Sequence, residues 1–142
     1  MVRQISIFLE NKFGRLAEAT EALGESGVNI RALSVADTSD FGILRCIVND
    51  TDKALKVLKE KGFTASATSV IAAEVPDSPG GLATLLKLPK ENNINVEYLY
   101  AFVTKAITNA IVVLRVEEID KLLGLFEKGG VRVLSEKELS SI

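Results

Sequence analysis

Two stretches of this chain share one pattern: Asn11-Lys12-Phe13-Gly14-Arg15-Leu16-Ala17 and, later, Asp77-Ser78-Pro79-Gly80-Gly81-Leu82-Ala83. Each follows an alternating run of apolar and polar residues that is typical of a strand, and each opens a helical pattern. The offset of 66 positions that separates Gly14 from Gly80 also separates Asn29 from Asn95. A pattern that recurs at one spacing predicts a duplicated scaffold.

Hydrophobic periodicity divides each half of the chain into the same order of elements. In the first half we predict a strand around Ile5, Ile7 and Leu9, a helix over 14–26, strands over 30–37 and 41–48, a helix ending at Lys61 and an extended segment over 64–75. In the second half we predict a strand over 70–75, a helix over 80–92, strands over 96–104 and 107–116, a helix over 117–128 and a strand over 131–134. The second order begins without a linker, so the segment 64–75 is expected to serve both halves.

The order βαββαβ predicts an α+β fold in which two ferredoxin-like modules each carry helices on one face of an antiparallel sheet. We place the modules at residues 1–68 and 69–142. A module of about 70 residues buries a small share of its surface and is marginal alone. We therefore expect the two sheets to combine, side by side, or the chain to dimerise.

The composition is that of a chain with ample material for a core, since 47% of its residues are hydrophobic. A net charge of −2 gives no electrostatic basis for binding nucleic acid. No apolar run approaches the roughly 18 residues of a membrane span, and the amino terminus reads as a strand, not as a signal peptide. The single cysteine, Cys46, excludes an internal disulfide and fits a reducing compartment. These features predict a cytoplasmic protein that binds neither membrane nor nucleic acid.

A βαββαβ unit with Asp/Asn-x-x-Gly-x-Leu at its first loop and an asparagine at the start of its second strand resembles the ACT domain. Two copies cover essentially the whole chain, which is therefore similar to the small stand-alone tandem-ACT proteins. The resemblance implies a regulatory protein that senses an amino acid or a related metabolite. It places the ligand between two modules, against the first loop of one and the second strand of a neighbour. It also implies a homodimer and allows for a metabolic enzyme as a partner.

Carried over to this sequence, the resemblance implies a set of ligand-binding residues in both first loops and both second strands. They are Asn11, Lys12, Phe13, Gly14, Arg15, Leu16, Asn29, Ile30 and Leu33 in the first copy, and Asp77, Ser78, Pro79, Gly80, Gly81, Leu82, Asn95, Val96 and Leu99 in the second. The second copy is the closer match, because Phe13 replaces the proline that stands at position 79.

These residue types suit the two charged groups of an amino acid. Main-chain N–H groups at a helix start could hold its carboxylate, and Asn29 or Asn95 could accept a hydrogen bond from its ammonium. Asp77 could add charge for the ammonium, and Arg15 could clamp a carboxylate with two hydrogen bonds.

Each residue also has a purely structural interpretation. The glycines could serve solely to shape the turn. Asn29 and Asn95 could occupy a left-handed turn, and Asp77 could cap the following helix. Arg15 could be a solvated side chain of the first helical turn.

Catalysis finds little support in the sequence. The chain has no histidine, which removes the commonest general base and metal ligand. Cys46 lies in an apolar strand pattern, and no phosphate loop or dinucleotide fingerprint is present. We therefore expect no catalytic residue, metal or cofactor. The alternative function is that of a regulatory or structural subunit that acts by protein contact with a metabolic enzyme, without a ligand. RNA binding is disfavoured because the strand at 41–47 lacks the required aromatic and basic residues.

Overall fold

The computed structural model describes residues 1–37, 40–102 and 109–142. Its elements in chain order are β1 (Val2–Glu10), α1 (Arg15–Glu25), β2 (Ile30–Asp37), β3 (Phe41–Val48), α2 (Thr51–Glu60), β4 (Thr64–Pro76), α3 (Gly81–Glu91), β5 (Val96–Ala101), β6 (Asn109–Val116), α4 (Ile119–Lys128), β7 (Val133–Leu134) and α5 (Glu136–Ser140). The end of the predicted strand 96–104 and the start of the predicted strand 107–116 fall within residues 103–108, which lie outside the described part of the chain.

The chain forms two compact units. The first comprises Arg3–Thr68, and the second comprises Met1–Val2 together with Ser69–Ile142. β4 continues without interruption through 13 residues, so that its start belongs to the first unit and the remainder belongs to the second.

The sheet of the first unit has β3 at its centre, paired antiparallel with β1 on one side and with β2 on the other. Ile5 lies opposite Cys46 and Ile7 lies opposite Leu44, and all four side chains are buried. Helix α1 covers this face with Ala19, Ala22 and Leu23, which fall on one helical stripe, and α2 covers it with Ala54 and Leu58. This single apolar layer is the core of the unit.

The second unit repeats the arrangement with β7, β4, β6 and β5 in that order across an antiparallel sheet. Ile71 and Leu114 lie opposite each other at its centre and pack against Leu85 of α3 and Leu122 of α4. The predicted βαββαβ order and the antiparallel α+β architecture are confirmed. Among the described residues no helix combines the length and the apolar composition needed to cross a membrane.

The sequence analysis missed one element, the helix α5. Its N-cap is Ser135, whose hydroxyl accepts from the Glu138 N–H, while the Glu138 carboxylate accepts from the Ser135 N–H. This is a capping box, and its signature Ser-x-x-Glu is visible in the sequence. Five residues are too few to show a helical period, so the cap was the only signal that could have revealed the helix.

Candidate functional site

The two first loops have the same backbone conformation. Gly14 precedes α1 with φ 83° and ψ −9°, and Gly80 precedes α3 with φ 84° and ψ −3°. Both lie in the left-handed region, where any other L-residue pays roughly 1–2 kcal/mol. The glycines are therefore required by the shape of the loop, and the shape is the same in both copies.

This shape leaves main-chain donors unpaired at the start of each helix. Both N-caps are glycines, so no capping side chain accepts from the first N–H groups of either helix. Within the described residues the N–H groups of Leu16 and Ala17 have no acceptor, and neither do those of Leu82 and Ala83. Unpaired donors combined with the positive end of the helix dipole favour an anion. Each loop can therefore offer two aligned N–H groups to a carboxylate.

The second loop is held tightly against the end of β4. A Cβ atom built on Gly81 would lie 2.1 Å from the Pro76 carbonyl oxygen, far inside van der Waals contact. The Gly81 N–H donates to the Ser78 carbonyl at 3.0 Å, which closes the turn. Asp77 does not cap α3, because the N-cap is Gly80 and no side chain accepts from the first N–H groups of the helix. The Asp77 side chain is exposed at the loop.

Arg15 in the first loop is engaged by its own unit. Its guanidinium carbon lies 4.3 Å from the ring centre of Phe63, and its Nη1 donates to the Glu18 carboxylate at 2.8 Å. Its side chain is only 22% exposed. The structure therefore places Arg15 neither as a solvated side chain nor as a free clamp for a ligand. The neighbouring Lys12 bonds the Glu10 carboxylate and, with a smaller contribution from Arg15, lowers the pKa of Glu10.

Asn29 and Asn95 lie at the opposite ends of their helices from the loops. Helix α1 has 11 residues and spans roughly 16 Å, so Gly14 and Asn29 of one module cannot both contact a ligand the size of an amino acid. The same holds for Gly80 and Asn95 across α3, which also has 11 residues. The predicted loop and asparagine can serve one ligand only when they come from different modules.

The left-handed turn before each second strand does not involve these asparagines. It falls two positions earlier, at Gly27 with φ 77° and at Asn93 with φ 55°. The Asn29 N–H donates instead to the Asn49 side-chain oxygen at 2.9 Å, and the Asn49 N–H donates back to the Asn29 carbonyl at 3.2 Å. Asn49 was not among the predicted site residues, although its partner Asn29 was.

Asn95 borders an acidic cleft in the second unit. The cleft has a volume of about 480 Å³ and is also lined by Glu97, Glu117 and Glu118. Arg115 pairs with Glu97 at 3.4 Å, and Lys121 pairs with Glu118 at 3.7 Å. Asn95 is therefore surrounded by carboxylates, an environment that suits a cationic group.

The remaining predicted positions divide into packed and exposed side chains. Ile30 and Val96 pack against the cores of their units, which gives them a structural role at the start of β2 and β5. Leu33 lies on the outer strand β2 opposite Cys46 and is 46% exposed, while Leu99 lies on β5 opposite Leu114 and is half-buried. Leu99 also packs against the core of its unit, so that of these two equivalent positions Leu33 is the more exposed.

The described residues bring together no group of histidine, cysteine, aspartate or glutamate side chains that could hold a metal ion. Cys46 is fully buried, and burial raises the pKa of its thiol to about 12. A thiol in this state is not a nucleophile at neutral pH. Cys46 is a core residue.

The fold just described is a βαββαβ module present twice, and the whole chain, residues 1–142, matches the family described as ACT domain pair. The chain belongs to this family, and the resemblance drawn from the two loops is confirmed. The ACT domain pair is a regulatory type of domain.

Among solved structures the chain is similar to protein BT0572 from Bacteroides thetaiotaomicron, with 40% sequence identity and a TM-score of 0.92 over 99% of this chain and 96% of that one. It also shares its fold with the ligand-free regulatory subunit of aspartate kinase from Thermus thermophilus, at 16% identity and a TM-score of 0.64 over 89% and 90% of the two chains. The regulatory subunit of aspartate kinase from Thermus flavus has 17% identity and a TM-score of 0.61 over 89% and 90%. No curated protein matches the chain.

Proposed function

We propose that this chain is a non-catalytic sensor that binds an amino acid or a related small metabolite at an interface between ACT modules. The modules are residues 1–68 and 69–142. The observation that carries the proposal is the recurrence of one loop, with a left-handed glycine at φ 83° and φ 84° and two unpaired main-chain donors behind each glycine.

The second loop is the better site of the two. The N–H groups of Leu82 and Ala83 would hold the ligand carboxylate, and the exposed Asp77 would pair with its ammonium. Asn95 would contribute to a ligand held on the first loop of a neighbouring module, because α3 separates it from its own loop. The first loop lacks an acidic residue at the place of Asp77, and its Arg15 is already bound to Glu18 and Phe63.

The proposal includes a cytoplasmic homodimer without a cofactor, a metal or a catalytic residue. Strand β2 is the outer strand of its sheet, and Leu33 and Val35 on it are 46% and 45% exposed. Exposed apolar residues on an outer strand suit pairing with a second copy. Such a dimer would also bring a first loop and a second strand from different modules within reach of one ligand.

A second candidate function is that of a subunit that acts by contact with a metabolic enzyme. Phe13 at the tip of the first loop is fully exposed, and Phe8 is half-exposed while it stacks on Phe41 at a centroid distance of 4.7 Å. Exposed aromatic side chains are typical anchors of protein interfaces. This function predicts a stable heteromer in a native pull-down and no response to amino acids.

The first experiment is a thermal-shift screen of the purified chain against the common amino acids, followed by calorimetry on each hit. A ligand at 100 times its Kd should stabilise the folded state by about 2.7 kcal/mol. A selective hit supports the sensor, whereas a flat screen across all amino acids contradicts amino-acid binding.

A pair of variants then tests the role of the main chain. Leu82→Pro deletes one proposed donor, and the helix tolerates it because this N–H has no intrahelical partner and the preceding Gly81 has no Cβ to clash with the proline ring. Leu82→Ala removes the same side chain but keeps the N–H. We expect Leu82→Pro to weaken the ligand by tenfold or more and Leu82→Ala to leave the affinity within about twofold. Equal affinities in the two variants would show that this N–H does not bind the ligand.

A further inference from the structure

The second unit contains a cleft that begins beside Gly81 at the first loop and extends along α3, away from the Leu82 and Ala83 N–H groups of the proposed first-loop site. It lies between α3, the end of β4 and the segment that connects α4 to β7, and it has a volume of about 470 Å³. We call it the α3 cleft and define it by Glu74, Leu85, Lys87, Leu88, Glu91 and Val131. Its volume is within the range of about 300–1,000 Å³ that is usual for small-molecule sites.

The first unit provides an internal comparison, because a cleft occurs there at the equivalent place with a volume of only about 250 Å³. Arg15 and Phe63 line it, and the cation–π contact between them at 4.3 Å fills the space. The repeat places Gly81 at the position of Arg15 and Val131 at the position of Phe63. The α3 cleft is therefore open because the two side chains that close its counterpart are replaced by smaller ones.

The rims of the two clefts also differ in charge. On the first unit the rim carries Glu21 and Glu25, which are both acidic. At the equivalent positions the α3 cleft carries Lys87 and Glu91, one helical turn apart and opposite in charge. Neither side chain has an ion-pair partner within the described part of the chain. A free cation and a free anion therefore stand side by side at the mouth of the α3 cleft.

The inner end of the α3 cleft is already neutralised. The Glu74 carboxylate accepts from Asn109 Nδ2 at 3.1 Å and from Arg132 Nη1 at 3.0 Å, and Arg132 Nη2 donates to Glu138 at 2.9 Å. Val75, Leu85, Leu88 and Val131 supply apolar walls between this network and the rim. A bound small molecule would contact apolar side chains in the interior of the α3 cleft and one charge of each sign at its rim.

From this arrangement we propose that the α3 cleft is a second small-molecule site, present only in the second unit, that binds an α-amino acid with an apolar side chain. Lys87 holds the carboxylate, Glu91 holds the ammonium, and the apolar side chain enters between Leu85, Leu88 and Val131. The site is complete within one module. It shares Gly81 with the first loop but uses neither the Leu82 and Ala83 N–H groups nor an interface, so the two proposals can fail separately.

The test is a titration of the full chain with L-valine, L-leucine and L-phenylalanine, each added separately and followed by backbone amide NMR. We expect at least one of them to shift the amides of Thr84, Leu88 and Val131 saturably. Val131→Phe introduces the residue that the first unit already carries at the equivalent place, and Lys87→Glu reproduces the acidic rim of that unit. Each should weaken binding at these amides by tenfold or more.

One matched variant controls for the change in charge. Lys90→Glu makes the same charge change on an exposed residue of α3 that does not line the cleft. It should leave the affinity within about twofold. Asn95→Ala, at the far end of α3, should weaken only the first-loop site and leave the shifts of Thr84, Leu88 and Val131 unchanged.

Two results would overturn the proposal. One is the absence of saturable shifts at these three amides with all three amino acids. The other is an unchanged affinity in Lys87→Glu, a surface substitution that leaves the fold intact and so keeps the test decisive if Val131→Phe does not fold.

Discussion

Gly81→Ala should destabilise the protein, although the same substitution normally stabilises a helix. Gly81 is the first residue of α3, and an added Cβ would lie 2.1 Å from the Pro76 oxygen and 3.1 Å from the Pro76 carbonyl carbon. Pro76 is the last residue of β4 and lies opposite Asn109 in the sheet, so its carbonyl cannot turn away freely. The clash must be relieved by moving the start of α3.

The size of the effect follows from two opposing terms. Overpacking against rigid surroundings costs about 1–3 kcal/mol, and contact with a backbone atom places this site near the upper end. Replacing glycine by alanine in a helix returns roughly 0.5–1 kcal/mol. The net loss should be about 2 kcal/mol. Because the movement displaces the N–H groups of Leu82 and Ala83, ligand affinity at the first-loop site should fall as well.

The assay is urea unfolding of Gly81→Ala beside the control Gly124→Ala, followed by circular dichroism. Gly124 lies inside α4, and a Cβ added there would meet nothing within 4 Å, so this variant should be more stable by about 0.5–1 kcal/mol. The midpoints of the two variants should therefore shift in opposite directions. If Gly81→Ala unfolds at the same urea concentration as the parent or at a higher one, the close approach of α3 to β4 is wrong.

Three further predictions concern individual contacts. Asn49→Ala removes the acceptor of the Asn29 N–H and should lower the free energy of unfolding in urea by about 1 kcal/mol. Asn29→Ala keeps that N–H and should change stability by less than about 0.5 kcal/mol. Equal losses in the two variants would disprove the hydrogen bond from the Asn29 N–H to the Asn49 side chain. Because burial raises the pKa of the Cys46 thiol to about 12, its reaction with a disulfide reagent at pH 8 should be roughly a thousandfold slower in the folded than in the unfolded chain, and rapid native labelling would contradict this. The Ser135 N–H and then Arg132 lower the pKa of Glu138, so the stabilising contribution of its carboxylate is present above the pKa of the unfolded chain and is lost as the pH falls through the lowered value. Carboxyl NMR should show this carboxylate titrating below its ordinary range in the parent and closer to that range in Arg132→Ala. Identical titrations would exclude the ion pair.

The two loops show what sequence reasoning can reach. One interpretation of their glycines was that they shape the turn before a helix, and both Gly14 and Gly80 adopt left-handed φ angles. A left-handed backbone conformation at one position favours glycine there, so this local requirement is visible in the sequence. The strand and helix order was equally predictable, since a period of two or of 3.6 residues is also local.

Contacts between distant residues were not predictable in this way. Arg15 was interpreted as a ligand clamp or a solvated side chain, but its guanidinium packs over the ring of Phe63, which is distant in sequence. This contact has no signature in the local pattern.

The sequence by itself determined the βαββαβ order and the turns that require glycine, because each depends on residues within one turn or one strand of each other. It also determined the duplication, because one local pattern recurs 66 positions later. Only the tertiary structure decided which side chain contacts the Arg15 guanidinium and which of two equivalent clefts is open. These depend on side-chain volumes brought together from β4, α3 and the segment before β7, and the same repeat carries Arg15 and Phe63 in one copy and Gly81 and Val131 in the other. Exchanging two side chains across a packed contact changes a filled space into a cleft without altering any local pattern.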